Sequence, residues 1–288
     1  MIEKTINFFW DTTSISWMRY MTLYSFRKLN PDWRIVLSIC NSSNIKHKTW
    51  EDVPTQDFHN YTGDDYFYKL EELNVEIVEW KFEEIVNKNF ADVIGPSHMS
   101  NFFKWHLLSE KNEFYSDMDI LFLKPIEEYY KNVKDFDTII CYNGDYFSIG
   151  FLGSSGSNNF FNSVFENAKV SCTPESYQSA GVDNIYNLFE KLENPDKNIV
   201  LSNFWILLEK HFPENNKFNN PMSLFYPWTC SKLAQIFKEC NTIPPDCLGI
   251  HWYAGGIISQ EFNNKLTHEN FKDYKNTFTY YVNQVVQG

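Results

Sequence analysis

Apolar residues recur along this chain in short blocks that switch between a two-residue and a 3.6-residue period, which predicts alternating strands and helices. Residues 5–10 read as a strand, followed by a helix over 14–29 that puts Trp17, Tyr20, Met21 and Tyr24 on one face and stops at Asn30-Pro31. Residues 34–40 form a continuous apolar run, as suits a parallel strand covered on both faces. Residues 41–68 lack a clear period and are expected to run over the surface, and 75–80 read as a further strand. Pro96-Ser97 opens a helix with Ser97 as its N-cap and Met99, Phe102, Phe103, His106 and Leu107 at helical spacing. It leads into 114–122, an apolar run read as one buried strand. Residues 137–142 and 147–152 are expected to pair across the turn dipeptide Asn143-Gly144. Amphipathic helices follow over 158–168 and 183–192. After Asn194-Pro195 the pattern loosens, punctuated by Pro213, Pro221, Pro227 and Pro244-Pro245. No repeat or linker divides the chain, so one α/β unit over 1–288 with an irregular C-terminal part is expected.

The run over 114–122 carries two carboxylates, Asp117 and Asp119, where an apolar strand would not tolerate charge without a reason. On a strand the two share a face, and like charges that close call for a neutralising cation. A hard divalent ion such as Mn2+ or Mg2+ fits oxygen ligands and keeps positions open for substrate phosphates. Sixteen aspartates in 288 residues give about one Asp-x-Asp triplet by chance, and a second is present. Asp135-Phe136-Asp137 follows Lys131 and Lys134 and reads as a solvated turn before a strand.

Composition narrows the partners. A net charge of -12 argues against nucleic acid, whose phosphates need clustered Lys and Arg. The aromatic share of 18% exceeds what a core needs and suggests a groove where rings stack on a base or a sugar. The six cysteines show no C-x-x-C spacing and read as reduced thiols. The sequons at Asn41 and Asn60 then carry little weight. No long apolar span or signal-peptide pattern is present, so the chain is read as cytoplasmic and without a transmembrane segment; the pattern leaves its oligomeric state open.

Several segments fall in a telling order. Ile6-Asn7-Phe8-Phe9-Trp10 begins the chain, and its helix ends in Asn30-Pro31-Asp32-Trp33. Ser100-Asn101-Phe102-Phe103-Lys104 leads to Tyr115-Ser116-Asp117-Met118-Asp119 and then Leu123-Lys124-Pro125-Ile126. His251-Trp252-Tyr253-Ala254-Gly255-Gly256 lies near the C-terminus. Together they resemble the GT-A fold glycosyltransferases with a DXD motif, in particular the group of capsular sugar transferases, initiating mannosyltransferases of yeast and clostridial glucosylating toxins. The chain departs from that group at Asn101 (Asp there), Lys104 (Arg), Asn7 (His) and Asn112-Glu113 (Gly-Gly). The first two changes bear on which donor sugar is held.

The resemblance implies a Rossmann-like mixed sheet flanked by helices, with 1–142 binding a nucleoside diphosphate sugar, UDP-linked by first choice, and 143–288 binding a saccharide acceptor and closing the site. It implies transfer of a hexosyl or pentosyl unit, in polysaccharide biosynthesis by analogy. It makes Asp119 the more direct metal ligand, Asp117 a ligand that also touches ribose or sugar, and His251 a third ligand or a diphosphate contact. Trp10, beside Phe9, would stack on the nucleobase; Asn101, Lys104 and Met118 would line the donor, and Gly255 and Gly256 would let the backbone approach the diphosphate. The group is retaining, so no dedicated base is required. Asp145, Asp183 and Glu261 are the carboxylates within reach of such a role, and Asp183 is the expected acceptor contact, with 147–150 lining the acceptor groove. Two other readings stand beside this one: a carbohydrate-binding protein of the same fold that has lost catalysis, and a metal-dependent phosphohydrolase. The second is weakened because no H-x-H or H-x-x-E-H cluster is present.

Overall fold

The computed structural model describes residues 1–11, 14–40, 50–51, 61–86, 92–193 and 203–288. Strand β1 (Thr5–Asp11), helix α1 (Trp17–Leu29) and strand β2 (Arg34–Cys40) form the expected unit, with the two strands parallel. Every residue of β1 is buried, because apolar layers cover both faces: Phe8 and Trp10 point into one and Phe9 into the other. β3 (Glu76–Glu79) adds a parallel edge. α2 (Pro96–Glu110) then leads to β4 (Phe114–Ser116), which pairs parallel with β1 on its other side. The N-cap of α2 is Gly95 rather than Ser97. Pro96 fixes a helical φ at the first position and forces the residue before it to be extended, so the cap falls one step before the proline.

The expected single strand over 114–122 is two strands. After Ser116 the chain turns out of the sheet through Asp117, Met118 and Asp119, and resumes as β5 (Ile120–Phe122). Helix α3 (Glu127–Val133) follows, then β6 (Thr138–Tyr142) and β7 (Phe147–Ser154), an antiparallel hairpin as expected. Gly144 takes φ +100° at its turn, where Asn143 Oδ1 accepts the backbone N–H groups of Asp145 and Tyr146. β7 also pairs antiparallel with β4. Asp137 of the second Asp-x-Asp triplet is a structural acceptor, taking the Ser155 hydroxyl at 2.7 Å and the Asn216 N–H at 2.9 Å.

Helices α4 (Asn159–Ser171) and α5 (Val182–Glu193) match the two amphipathic patterns and cover the face of Phe9 with α2. The C-terminal part, expected to be irregular, holds α6 (Phe204–His211), β8 (Lys217–Asn219), α7 (Met222–Phe225), α8 (Leu233–Phe237), β9 (Gly249–His251), α9 (Ile257–Lys265) and α10 (Thr277–Gln287). These are short pieces tied in by long-range pairing: β8 is parallel to β6, and β9 is antiparallel to β5. Among the described residues the main sheet thus has seven strands in the order β3-β2-β1-β4-β7-β6-β8, a mixed sheet flanked by helices, with β5-β9 as a separate pair. Asn41, Asn60, the Asn194-Pro195 stop and most of 41–60 lie outside the described residues. Among the described residues no helix is long and apolar enough to cross a membrane.

α10 closes the apolar layer under α1 and is fixed by a capping box, in which Asn276 Oδ1 accepts the Thr279 N–H at 2.9 Å. Asn276→Ala is expected to destabilise the protein by roughly 1 kcal/mol, read as a lower denaturant midpoint at unchanged slope.

Candidate active site

The carboxyl ends of β1 and β4 point the same way, and the turn after β4 places its carboxylates beside them. The register of β5 on β9 sets Ile120 opposite His251, which brings the imidazole to the Asp pair from 132 residues beyond Asp119. Asp119 is gripped further by the segment after β9: its carbonyl accepts the Trp252 N–H at 2.9 Å, and its Oδ2 accepts the Ala254 N–H at 2.8 Å. The Asp117 N–H donates to the Gly150 carbonyl at 2.7 Å, the last rung toward β7. The two carboxylates converge through a turn and not through strand alternation.

Each carboxylate has one oxygen held by the protein and one turned to His251. Asp117 Oδ1 accepts from Lys104 Nζ at 2.9 Å and from the Tyr115 hydroxyl at 2.8 Å, while Oδ2 lies 3.9 Å from His251 Nε2. Asp119 Oδ1 lies 3.1 Å from the same nitrogen. Burial would raise the pKa of Asp117, but Lys104 and then His251 outweigh it and hold the group well below the usual carboxylate range. Asp119 is likewise lowered, with burial opposed chiefly by His251. For His251, burial works downward, and Asp119 and Asp117 overcome it to push the imidazole up to about 9. The neutralising charge that the sequence pattern demanded is therefore supplied in part by the chain itself.

Asp117, Asp119 and His251 can each offer one ligand atom within 4.8 Å of the others. Two carboxylate oxygens and one imidazole nitrogen, once the ion displaces its proton, fit a divalent ion, and the nitrogen favours Mn2+ over Mg2+. His251 presents Nε2 to the carboxylates, while Nδ1 is buried without a hydrogen-bond partner among the described residues. Gly150 leaves the room for this grouping: a Cβ there would stand 3.0 Å from His251 Nε2 and 3.1 Å from Asp117 Oδ2. Gly150→Ala is expected to weaken Mn2+ binding by about tenfold, the scale of a disturbed ligand orientation. The check is metal titration, with an unchanged far-UV spectrum showing that the strand is intact.

These groups form the floor of a cavity of about 440 Å³. Phe9 and Trp10 reach it from the end of β1, Met118 from the turn after β4, Asn101 and Lys104 from α2, Asp183 from the start of α5, and Gly255 from the segment after β9. Phe147, Ser148, Ile149 and Gly150 line it along β7. Phe9 is mostly taken up by packing on Phe103, with ring centroids 5.3 Å apart. Lys104 is 2% exposed and turned onto Asp117, so it is no solvated lysine. Gly256 does not reach the cavity. It caps α9 and packs where a Cβ would run into Leu233. Of the three carboxylates considered, only Asp183 lines the cavity; Glu261 pairs with Lys265 on α9.

No protein-family model and no curated protein matches the chain. Solved structures do. The PaToxG glycosyltransferase aligns at 17% identity and a TM-score of 0.44, over 72% of this chain and 75% of that one. The galactosyltransferase LgtC, solved with donor and acceptor sugar analogues, aligns at 11% and 0.40, over 86% and 87%. Mouse xyloside xylosyltransferase 1 aligns at 10% and 0.41, over 86% and 96%.

Sequence reasoning missed two parts of this site. Arg19 lies buried in the first turn of α1 and lines the cavity, with its guanidinium 4.2 Å from the Trp10 ring centre. A basic residue in the first turn of the helix, where the dipole disfavours it, apart from Arg27 and Lys28 in the last turn, was the signal. The second is an aromatic wall of Trp50, Tyr146, Tyr177, Tyr186 and Tyr253. Its members come from separate loops and helices, so no local period marks them.

Proposed function

We propose that the protein is a metal-dependent glycosyltransferase that moves a sugar from a nucleoside diphosphate sugar, UDP-linked by first choice, to a saccharide acceptor with retention of configuration. The observation that carries this reading is the convergence of Asp117, Asp119 and His251 at the floor of an aromatic cavity at the strand ends. Asp117, Asp119 and His251 would hold the divalent ion, which supplies Lewis-acid stabilisation of a departing diphosphate. Lys104 and Tyr115 hold Asp117 in one orientation, and Ala254 holds Asp119, so the ligand oxygens are set before substrate arrives. The indole of Trp10 and the rings across the cavity offer faces to a base and to sugars.

In the transfer, the bond from the sugar's anomeric carbon to the diphosphate oxygen breaks. The acceptor oxygen bonds to the same face of that carbon, and its proton passes to the departing diphosphate. Asp183, at the start of α5 and lining the cavity, would accept a hydrogen bond from the incoming saccharide. In this reading residues 1–142 bind the donor, and 143–288 bind the acceptor and close over it. The test is calorimetric titration with UDP, and GDP as control, in Mn2+ and then in chelator. Mn2+-dependent UDP binding is the expected result. Binding of glycan without any nucleotide binding would favour the carbohydrate-binding alternative.

A further inference from the structure

Arg19 is the buried cation of the cavity that the assignments above leave without a task. It follows the N-cap Ser16 by three residues on α1 and is only 7% exposed. Its guanidinium stands over Trp10, near the end of β1, at 4.2 Å and over Trp252, just past β9, at 5.5 Å. As a purely structural residue it is poorly placed. Burial strips water from a charge that cannot be given up, and the first turn of a helix is the positive end of its dipole. The charges around it are Asp119, Asp11 and Asp117, of which the first and last are also gripped by His251 or Lys104.

With a divalent ion on Asp117 and Asp119, the ion, Lys104 and Arg19 carry four positive charges against the four lining carboxylates Asp11, Asp117, Asp119 and Asp183. Removing Arg19 leaves the lining net negative, which disfavours an anion. Stacking uses the faces of a guanidinium, while its donors lie in its plane, the arrangement that suits paired phosphate oxygens.

We propose that Arg19 binds the diphosphate of the donor, donating to phosphate oxygens from between Trp10 and Trp252. This rests on the donor-cavity reading above. Arg19 is thereby both a specificity determinant for a diphosphate over an uncharged nucleoside and a holder of the leaving group.

The experiment is calorimetry of wild type, Arg19→Gln and Arg19→Lys with UDP and with uridine in Mn2+, alongside Mn2+ binding followed by electron paramagnetic resonance. Arg19→Gln is expected to lose about 10- to 100-fold in UDP affinity, the scale of a hydrogen bond to a charged group, with uridine and Mn2+ binding unchanged. Arg19→Lys, which keeps the charge without the fork, is expected to fall between. Equal UDP affinity in wild type and Arg19→Gln overturns the inference, and so does a parallel loss of UDP and uridine, which would mean that Arg19 only positions Trp10. If Arg19→Gln does not fold, Arg19→Lys decides: a UDP-to-uridine affinity ratio equal to wild type overturns the inference. Wild type that binds no nucleotide in Mn2+ defeats the transferase reading itself, an outcome distinct from the others.

Discussion

Asp119→Asn is expected to reduce Mn2+-dependent UDP binding by about 100-fold or more, equivalent to at least ~2.8 kcal/mol at 1.4 kcal/mol per tenfold, while leaving the fold in place. The substitution keeps the shape, and the amide oxygen can still accept the Ala254 N–H that now reaches Asp119 Oδ2 at 2.8 Å. What it removes is the negative charge on the group nearest His251 Nε2, and with it one of two hard ligands for the ion. Asp119 is 9% exposed, so water cannot readily take over. The measurement is the same titration in Mn2+ and in chelator, with thermal unfolding as the control for folding. Wild-type UDP affinity in the variant would sink the metal assignment. Loss of binding in Mn2+ with unchanged weak binding in chelator would localise the effect to the ion.

How this site could be read from the chain, and where the reading stopped, follows from the range of the interactions. Asp117 and Asp119 were legible because a charge inside an apolar run breaks a local rule, and local rules are what a single sequence displays. Strand alternation puts them on one face, whereas the structure turns the chain between β4 and β5 and lets β9 finish the arrangement. Nothing local in 114–122 marks that break, since the partner of β5 lies near the C-terminus. His251 was reachable only through resemblance for the same reason.

Lys104 illustrates a different limit. The resemblance set it beside Asn101 along the donor, yet its partner, Asp117, is fixed by tertiary packing of α2 against β4 and β7. Ser97 misled because Pro96 outranks a side-chain cap in setting where the helix starts. Arg19 was hidden by the default that an arginine faces water. That default failed where a helix begins at the rim of a cavity lined by carboxylates.

Lys104→Met is expected to destabilise the protein by about 3 kcal/mol at neutral pH, the lower end for removing one partner of a buried ion pair, because Asp117 keeps some access to water and two other donors. Lys104 is almost wholly enclosed, and its Nζ donates to Asp117 Oδ1 at 2.9 Å and to the Ile149 carbonyl at 3.2 Å. Methionine fills most of the volume, so the loss is mainly electrostatic. It leaves the carboxylate with Tyr115 and His251 against the cost of burial. The pH dependence has a definite sign. In the wild type the folded pKa of Asp117 is depressed, so its contribution is present above the ordinary carboxylate range and is lost as pH falls through the folded value. Removing Lys104 lets that pKa rise. The stability gap between wild type and Lys104→Met is therefore widest near neutrality and closes as acid protonates Asp117. Denaturant unfolding at several pH values reads this directly, and a gap that stays constant into acid would mean that the lysine stem, not its charge, does the stabilising. Asp117→Asn in the Lys104→Met background is expected to recover much of the loss, since it removes the charge left unpaired. If the double variant is no more stable than Lys104→Met, the pair is not the source of the effect.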